Sequence, residues 1–340
     1  MAILITIIGF GIMIFLHELG HFITAKRFGV LVHEFAIGMG PKLLSFGKGE
    51  TRYSLRLFPI GGYVQLEGEN ETKESDNPRS FANITPLKRI IILAAGAFMN
   101  LLLGFLIFTV INLNMGVTPT VIDKIPDEYK QYATQLRSGD EIIRLNNTRV
   151  HMRDEVSLFM SSCDDDDTID ITLKRNGNVI KINDYKPIKT EYGYMLGVQF
   201  KNVKASVLTS SRFALYDTVY VTKAVIFAVR DLFTGRVGLS SLSGPVEIVA
   251  AVDSVASNNT PYTLMSVLML FAMISVNLGI FNLLPFPALD GGSIIFALYE
   301  LITKKKVKGE IISYASLIGF TLLMLLAIYV TAGDIAALIK

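Results

Sequence analysis

Four long apolar stretches constrain the fold of this 340-residue chain more than any other feature of its sequence. They run from Ala2 to Ala25, from about Ile90 to Leu113, from about Tyr262 to Leu284 and from about Ile311 to Ile339. A helix needs about 20 consecutive apolar residues to cross a bilayer, and each stretch is long enough. The second and third stretches contain no charged residue. The sequence therefore predicts a polytopic α-helical membrane protein with four transmembrane helices.

The composition excludes several other classes of protein. Charged residues make up 18% of the chain and hydrophobic residues 51%, whereas a soluble domain usually carries about 25% charged residues. The net charge is only +2, so the chain lacks the basic excess of nucleic-acid-binding proteins and no nucleic-acid partner is expected. Cys163 is the one cysteine of the chain, which excludes a disulfide framework.

The distribution of Lys and Arg predicts the orientation of these helices in the membrane. No Lys or Arg precedes the first span, whereas the loop from Lys26 to Arg89 carries ten. The short loop after the third span carries four lysines, namely Lys304, Lys305, Lys306 and Lys308. Loops rich in Lys and Arg stay in the cytoplasm. We therefore expect both loops to be cytoplasmic, and both termini and residues 114–260 to be extracytoplasmic.

The long segment between the second and third spans has two parts. Residues 114–204 alternate as strands do at Asp140–Leu145 and Thr168–Leu173, with a turn at Asn176–Asn178, which predicts a compact β-rich domain. Residues 205–260 are amphipathic and suit a helix on the outer membrane surface or capping the bundle. The predicted organisation is therefore a first membrane half (1–113), a β-rich domain (114–204), an amphipathic segment (205–260) and a second membrane half (261–340).

The β-rich domain also carries a resemblance to a known module. The run Leu136–Asn146, followed by Arg175–Gly177, is similar to the second half of a bacterial PDZ domain. PDZ domains bind peptides by adding a strand to an exposed sheet edge. This resemblance implies an extracytoplasmic PDZ-like domain that could contact a peptide or a substrate.

The first predicted span contains the ionisable sequence His17-Glu18-Leu19-Gly20-His21, which has the form HExxH. On a helix, residues i and i+4 share one face, so both imidazoles can reach one metal ion. Glu18 would lie close enough to take a proton from a water at that ion. Ionisable side chains inside a membrane helix are costly and usually functional. The alternative is that these residues are structural and are satisfied by other helices.

A catalytic zinc site needs a third protein ligand, and the sequence offers several candidates. Cys163 and His151 fall in the predicted extracytoplasmic domain, on the wrong side of the membrane for His17. His33 follows the first span closely and stays possible. Asp290 fits best, because the third span reaches the cytoplasmic side there. Asp290 could alternatively be an ordinary helix N-cap, since a helical sequence follows it.

The sequence around Asp290 suggests a broken helix that lines a wet cavity. Pro285 and Pro287 interrupt the apolar run, and Asn282 and Asn277 could point into such a cavity. Irregular backbone at membrane depth is tolerated where it lines a cavity. Both asparagines could instead have a structural role.

Taken together, these motifs resemble the site-2 protease family of intramembrane zinc metalloproteases, in particular its bacterial RseP/RasP-like group with a single PDZ-like domain. The resemblance covers nearly the whole chain and rests on HExxH in the first span, the PDZ-like insert and Asn-x-x-Pro-x-Pro-x-Leu-Asp-Gly at Asn282–Gly291. It implies a multi-pass protein of the bacterial plasma membrane with its active site toward the cytoplasm. It also implies one Zn²⁺ per chain, held by His17, His21 and Asp290, with Glu18 as the catalytic base.

The resemblance assigns substrate-binding roles as well. A cytoplasmic or membrane-reentrant β region is expected over about residues 30–66, between the first two spans. Within it, residues from Arg52 to Val64 resemble a membrane-reentrant β-hairpin, and the edge at Gly62, Tyr63 and Val64 would pair with an unwound substrate. The residues Asn282, Pro285, Pro287 and Asn277 would contact the same substrate. A plain cytoplasmic hairpin is the alternative for the first set.

We therefore expect an endopeptidase that cuts single-span membrane proteins within or near their membrane segments, of the anti-sigma factor or remnant signal peptide type. The expected partners are such a substrate and the lipid bilayer. Two imidazoles and one carboxylate suit zinc, although Fe²⁺ or Co²⁺ could also bind. The alternatives are a non-catalytic membrane scaffold that uses its PDZ-like domain, or a metal transporter.

Overall fold

The computed structural model describes residues 1–47, 49–69, 76–191, 193–238, 244–257 and 260–339, without the side chains of residues 59, 60 and 337–339. Within these ranges the helices are α1 (Ala2–Arg27), α2 (Pro86–Met115), α3 (Arg153–Met160), α4 (Val207–Phe233), α5 (Pro245–Ala256), α6 (Thr263–Leu283), α7 (Asp290–Thr303) and α8 (Gly309–Ile339). The strands are β1 (Val32–Phe46), β2 (Arg52–Leu66), β3 (Ile122–Lys124), β4 (Glu141–Leu145), β5 (Thr148–Arg149), β6 (Ile169–Arg175), β7 (Asn178–Tyr185), β8 (Ile188–Thr190), β9 (Gly193–Met195) and β10 (Gln199–Phe200).

Helices α1, α2, α6 and α8 are the four helices of the described chain that are long and apolar enough to cross a membrane. Their positions confirm the four spans expected from the sequence. Helix α8 keeps nearly all of its apolar surface outside the protein core, with Leu317, Phe320 and Ile328 exposed. A contiguous apolar surface of this size is uncommon on a soluble monomer, whereas lipid tails cover it without cost. The helices therefore identify a membrane protein.

The chain divides into two compact units, residues 1–104 with 225–340, and residues 105–224. In the first unit, α1 and α2 approach closely at Gly20. A Cβ atom added there would lie 2.4 Å from the carbonyl oxygen of Ala95, so a larger residue would force the helices apart. Small residues at such crossings allow close backbone packing, which is the main source of helix association in membranes. This crossing brings the HExxH segment of α1 against α2.

The same unit contains a two-stranded sheet of long, irregular strands. Strand β1 pairs antiparallel with β2, for example Phe35 with Val64 and Ile37 with Gly62. The register also pairs Phe35 with Tyr53, on the other half of β2. The sequence predicted a β region over about residues 30–66 with a hairpin at residues 52–64. Strands β1 and β2 lie within that region, but the two halves of β2 pair with β1 on either side of Phe35 rather than with each other. Alternation along one segment does not reveal which segment pairs with it.

This sheet has an apolar outer surface. Its exposed large hydrophobic side chains are Ile37, Met39, Leu43, Leu44, Phe46, Leu55, Leu57 and Phe58. Glu34 is buried in the sheet and accepts hydrogen bonds from Lys42 Nζ at 3.0 Å and from Arg56 Nη2 at 3.1 Å. The sheet therefore exposes large apolar side chains in addition to those it buries, namely Val32, Phe35, Val64 and Leu66, which a water-exposed hairpin does not do.

The second unit contains the β-rich part of the chain. Its four-stranded sheet has the order β5-β4-β6-β7, accompanied by the pairs β10-β3 and β8-β9 and by helix α3. The core includes Ile142, Leu145, Ile171 and Leu173, all fully buried. Strands β4 and β6 lie where the alternation predicted them, and β7 follows the predicted turn at Asn176 and Gly177. The amphipathic residues that follow form α4 and α5.

Candidate metal centre

Helix α1 brings His17 and His21 to one face, one turn apart, as the i and i+4 spacing predicted. Their Nε2 atoms lie 3.1 Å from each other, and the two rings meet edge to face with centroids 4.7 Å apart. If both imidazoles are neutral and carry lone pairs on Nε2, the two lone pairs repel each other unless a cation lies between them. The convergence of the Nε2 atoms therefore indicates a site for a positive ion.

Asp290 joins this pair from the other half of the chain. Its Oδ2 atom lies 3.2 Å from His17 Nε2 and 3.4 Å from His21 Nε2. The three residues form a group whose candidate ligand atoms all lie within 4.8 Å of one another. Asp290 Oδ2 is buried, and within the described chain it has no hydrogen-bond partner. A buried carboxylate oxygen without a donor is costly unless a cation occupies the space before it.

Each imidazole has a partner at its second nitrogen. His21 Nδ1 donates to the carbonyl oxygen of Ile92 at 2.8 Å, which leaves the lone pair on Nε2. His17 Nδ1 lies 3.4 Å from the side-chain nitrogen of Asn100, whose Oδ1 is buried without a partner in the described chain. Rotating the Asn100 amide by half a turn lets Oδ1 accept from His17 Nδ1, since the amide oxygen and nitrogen are nearly interchangeable in shape. Metal-binding histidines are typically held in this way.

Gly96 of α2 makes room for both rings. A Cβ atom at this position would lie 2.4 Å from His21 Nε2 and 2.8 Å from His17 Cε1. No side chain larger than hydrogen fits there without moving the imidazoles. The surface of α2 is therefore shaped around the two histidines.

Asp290 is held by a tight loop between α6 and α7. Ala288 in this loop has a φ angle of +80°, which a residue with a Cβ atom adopts only under strain. A Cβ atom on Gly291 would lie 2.1 Å from the carbonyl oxygen of Leu284. Asp290 is the first residue of α7, and its N-cap is Leu289. The alternative that Asp290 is an N-cap was therefore wrong, because Leu289 occupies the N-cap position and Asp290 is already inside the helix.

The three residues and Glu18 line one cavity of about 720 Å³. Strand β2 forms another wall, with Tyr63 and Val64 among the lining residues. A Cβ atom on Gly62 would lie 3.2 Å from Glu18 Cγ, so the strand passes directly beside the Glu18 side chain. The cavity thus brings the imidazoles of His17 and His21 and the carboxylates of Glu18 and Asp290 to one strand segment; its lining also includes His33, Glu67 and Glu69.

The other residues expected to contact a substrate lie near Asp290 along the chain. Asn282 is in the last turn of α6, and Pro285 and Pro287 are in the loop before α7. The described lining of the cavity includes Asp290 but none of these three. Asn277 lies one turn earlier in α6, and its Oδ1 atom is buried without a hydrogen-bond partner in the described chain.

The rejected candidates for the third ligand have other partners. His33 lines the same cavity but pairs with Glu67, with 2.5 Å between His33 Nε2 and Glu67 Oε2. His151 Nδ1 lies 3.0 Å from Glu155 Oε2. Cys163 is buried in the core of the β-rich unit. Among the described residues, Asp290 is therefore the carboxylate that completes the histidine pair.

Sequence reasoning missed three features of this site. The Ile92 carbonyl carries no signal, because any residue has one. The ring-sized gap at Gly96 depends on how α2 crosses α1. The Glu67 partner of His33 lies 34 residues away from it, and only the fold of β1 against β2 brings them together.

The residues present fit a zinc ion. Structural and catalytic zinc sites use imidazole nitrogen and carboxylate oxygen, and a catalytic site keeps three protein ligands and one open position. His17, His21 and Asp290 supply such a set, and the open position would face the cavity. The orphaned Oδ2 atom and the Nδ1 partners are the observations that support this fit.

Comparison with known proteins gave consistent matches. The sequence profile of peptidase family M50 matches residues 5–326. A protein of Clostridium acetobutylicum named as a zinc metalloprotease is 36% identical over 337 residues, which cover 98% of this chain and 97% of the relative. The zinc metalloprotease RasP of Geobacillus kaustophilus is 31% identical over 415 aligned residues, which cover 98% of this chain and 97% of that protein.

Proposed function

The chain belongs to peptidase family M50, the site-2 protease family, and is a metalloendopeptidase; from this premise we propose that it cleaves single-span membrane proteins within or near their membrane segments. The observation that carries the proposal is the meeting of His17, His21, Asp290 and Glu18 around one cavity. Helix α1 is itself long and apolar enough to cross a membrane. The reacting groups are therefore carried by the part of the chain that a membrane substrate would meet.

His17, His21 and Asp290 would hold one Zn²⁺ per chain. When bound, the zinc would lower the pKa of a water molecule to about 7 and polarise the scissile carbonyl group. The bond from His21 Nδ1 to Ile92 keeps one imidazole in the tautomer that can bind metal. Asn100 would do the same for His17. These outer partners orient the imidazoles before a substrate arrives.

Glu18 would act as the catalytic base. It lies one residue after His17 on α1 and lines the same cavity. Its carboxylate would take the proton of the attacking water and deliver it to the amine that leaves when the peptide bond breaks. The neighbouring strand segment at Gly62 limits the positions that the Glu18 side chain can adopt.

A helical substrate must unwind before this chemistry is possible, because its peptide bonds are hidden in its own hydrogen bonds. Residues Gly62, Tyr63 and Val64 would offer a strand edge to the unwound segment, as in other strand-addition complexes. This segment pairs with Ile37–Phe35 on one side. Its position beside Glu18 supports the role. The residues Asn282, Pro285, Pro287 and Asn277 would bind the substrate from the α6–α7 side.

The apolar outer surface of the β1–β2 sheet supports a membrane-inserted position for it. The Lys and Arg distribution supports an active site toward the cytoplasm, with the N- and C-termini outside. Residues 114–204 would then form an extracytoplasmic PDZ-like domain, which admits substrates already trimmed on that side. Release of an anti-sigma factor or removal of remnant signal peptides would fit this arrangement in a bacterial plasma membrane.

Cleavage assays with purified protein in detergent test the proposal. The substrates are a panel of single-span membrane proteins, and the samples are wild type, Glu18→Gln and wild type treated with a chelator. We expect cleavage by untreated wild type alone, with zinc still bound to Glu18→Gln. Equal cleavage by wild type and Glu18→Gln would contradict the role of Glu18.

Two further measurements, partner binding and metal transport in vesicles, separate the alternatives. A scaffold would cleave no substrate yet bind partners equally in wild type and in Glu18→Gln. A transporter would move metal across vesicle membranes. It would still do so as Glu18→Gln, because transport needs no proton acceptor at this position. Either result would overturn the proposed protease mechanism.

A further inference from the structure

A buried ion pair joins α2 to α7. Arg89 Nη2 donates to Glu300 Oε2, and the two side chains are only 11% and 5% exposed. Glu300 Oε1 accepts a second hydrogen bond, from the backbone N–H of Val307 at 3.0 Å. These partners are 211 residues apart in the sequence. The pair therefore connects the two halves of the chain that contribute to the metal site.

Stability alone is a weak reason for such a pair. Removing two charges from water costs about as much as their attraction returns, and a well-packed apolar pair is often equally stable. Arg89 Nε is also buried without a hydrogen-bond partner in the described chain. Elsewhere in the same unit, Glu50 pairs with Lys26 and Arg79 at the surface, where charges are easily accommodated.

The position of the pair suggests what it does. Arg89 is three residues before Ile92 on α2, and the Ile92 carbonyl holds His21. Glu300 is ten residues after Asp290 on α7. Each helix therefore carries one charge of the pair and one group of the metal site, which is the Ile92 carbonyl on α2 and Asp290 on α7.

Apolar packing also joins the two helices, but it does not set their register. Ile294 of α7 packs against the buried cluster that includes Ile92 and Leu93. Apolar contacts are non-directional, so α7 could slide or turn on this surface. A charge-assisted hydrogen bond has a preferred distance and direction. The ion pair can fix the position of α7 along α2, which the apolar cluster alone does not fix.

We propose that Arg89 and Glu300 are positioning residues that hold Asp290 at the correct distance from His17 and His21. The proposal rests on the proposed role of these three residues as zinc ligands. The path of contacts runs from His21 through Ile92 and α2 to Arg89, and from Glu300 along α7 to Asp290. Loosening the pair would let the carboxylate move relative to the imidazoles while the rest of the unit stays folded.

Zinc retention tests this proposal without relying on proteolysis. The variants are Glu300→Gln and the double variant Arg89→Met with Glu300→Met, which replaces the charges by long apolar side chains. Glu50→Gln is the matched control, because it removes surface ion pairs of the same unit. Each purified full-length protein is loaded with zinc in detergent, and transfer of zinc to a fluorescent chelator gives the dissociation constant.

We expect both Arg89/Glu300 variants to bind zinc about 10-fold more weakly, the lower end of the effect of losing a group bonded directly to a metal ligand, because this pair acts through the helices that carry the ligands. Glu50→Gln should bind zinc as wild type does. Thermal unfolding with and without zinc then separates positioning from general stability. A positioning pair lowers the increase in Tm that zinc produces, whereas a merely structural pair lowers both Tm values equally.

The double variant keeps the proposal open to refutation if Glu300→Gln does not fold, because it leaves no unpaired buried charge. Wild-type zinc affinity in the double variant would overturn the positioning role alone. An equal loss of Tm with and without zinc would overturn it too. Failure of wild type to bind zinc would overturn the proposed function and the positioning role together.

Discussion

Two aspartates that place carboxylate oxygens in the interior, one in each unit, are treated in opposite ways by the fold. Asp140 in the β-rich unit is fully buried and fully partnered. Arg175 donates to both of its carboxylate oxygens at 2.7 Å, and the backbone N–H of Arg137 donates at 2.8 Å. Asp290 in the membrane unit faces two imidazole nitrogens, and its buried Oδ2 has no hydrogen-bond partner in the described chain.

The difference distinguishes a structural carboxylate from one kept for a ligand. Both carboxylate oxygens of Asp140 accept hydrogen bonds within the protein, and Arg175 already supplies the positive charge that a bound cation would bring. Neither His17 Nε2 nor His21 Nε2 can donate to Asp290 when the proton of each neutral imidazole is on Nδ1. An unpaired buried oxygen is destabilising by about 1–3 kcal/mol, and binding of a cation would remove that cost.

The largest expected effect comes from changing each aspartate to asparagine. Asp290→Asn should weaken zinc binding more than about 100-fold, beyond the usual effect of an outer partner, and abolish proteolysis. Asp140→Asn should leave zinc binding unchanged but destabilise the β-rich unit by about 3 kcal/mol, because Arg175 loses its charge partner.

Zinc titration and hydrogen exchange at the amides of β4 and β6 measure these two outcomes. Asp140→Asn with impaired zinc binding, or Asp290→Asn with intact zinc binding, would remove the distinction between the two carboxylates.

A smaller effect is expected from a pair of glycine substitutions. Gly96→Ala would put a methyl group 2.4 Å from His21 Nε2, so the imidazole must move, and we expect zinc affinity to fall about 10- to 100-fold. Gly139→Ala meets nothing within 4 Å but keeps a φ angle of +87°, and the left-handed region costs an L-residue with a Cβ atom about 1–2 kcal/mol.

The measurements are again zinc affinity and thermal unfolding, with each variant as the control for the other. Gly96→Ala with wild-type zinc affinity would show that the histidines do not need the space at this position.

An effect confined to one range of pH concerns Asp217 on α4, a third aspartate, which is partly buried. Burial raises the pKa of its carboxyl to about 6 from an ordinary 3.8, although a 2.8 Å hydrogen bond from Asn112 opposes the shift. Between these values the folded protein keeps a proton that the unfolded chain releases. Stability should therefore fall as the pH rises from about 4 to 6, by at most about 3 kcal/mol at about 1.4 kcal/mol per pKa unit.

Asp217→Asn cannot titrate, and it should remove this slope. Hydrogen exchange at the amides of α4 across this pH range provides the measurement. Parallel pH profiles for wild type and Asp217→Asn would mean that Asp217 does not hold the proton.

The sequence by itself determined the features that depend on neighbouring residues. Apolar runs of sufficient length specify the four membrane helices, because no other element hides its backbone polar groups from lipid. The i and i+4 spacing specifies that His17 and His21 share a face. Alternation and the Asn-Gly turn specify β6 and β7. The choice of Asp290 as the third ligand came from its expected depth and from the family resemblance.

Only the tertiary structure decided the features that join distant residues. His21 and Ile92 are 71 residues apart, and Arg89 and Glu300 are 211 apart. No local pattern encodes which carbonyl fixes an imidazole, which glycine makes room for it or which strand β2 pairs with. These depend on how closely helices cross and in what register, which is set by the packing of the whole unit. Neighbouring residues in the sequence therefore specify which reactive groups the protein has, whereas the tertiary structure specifies the distances and partners that allow those groups to act together.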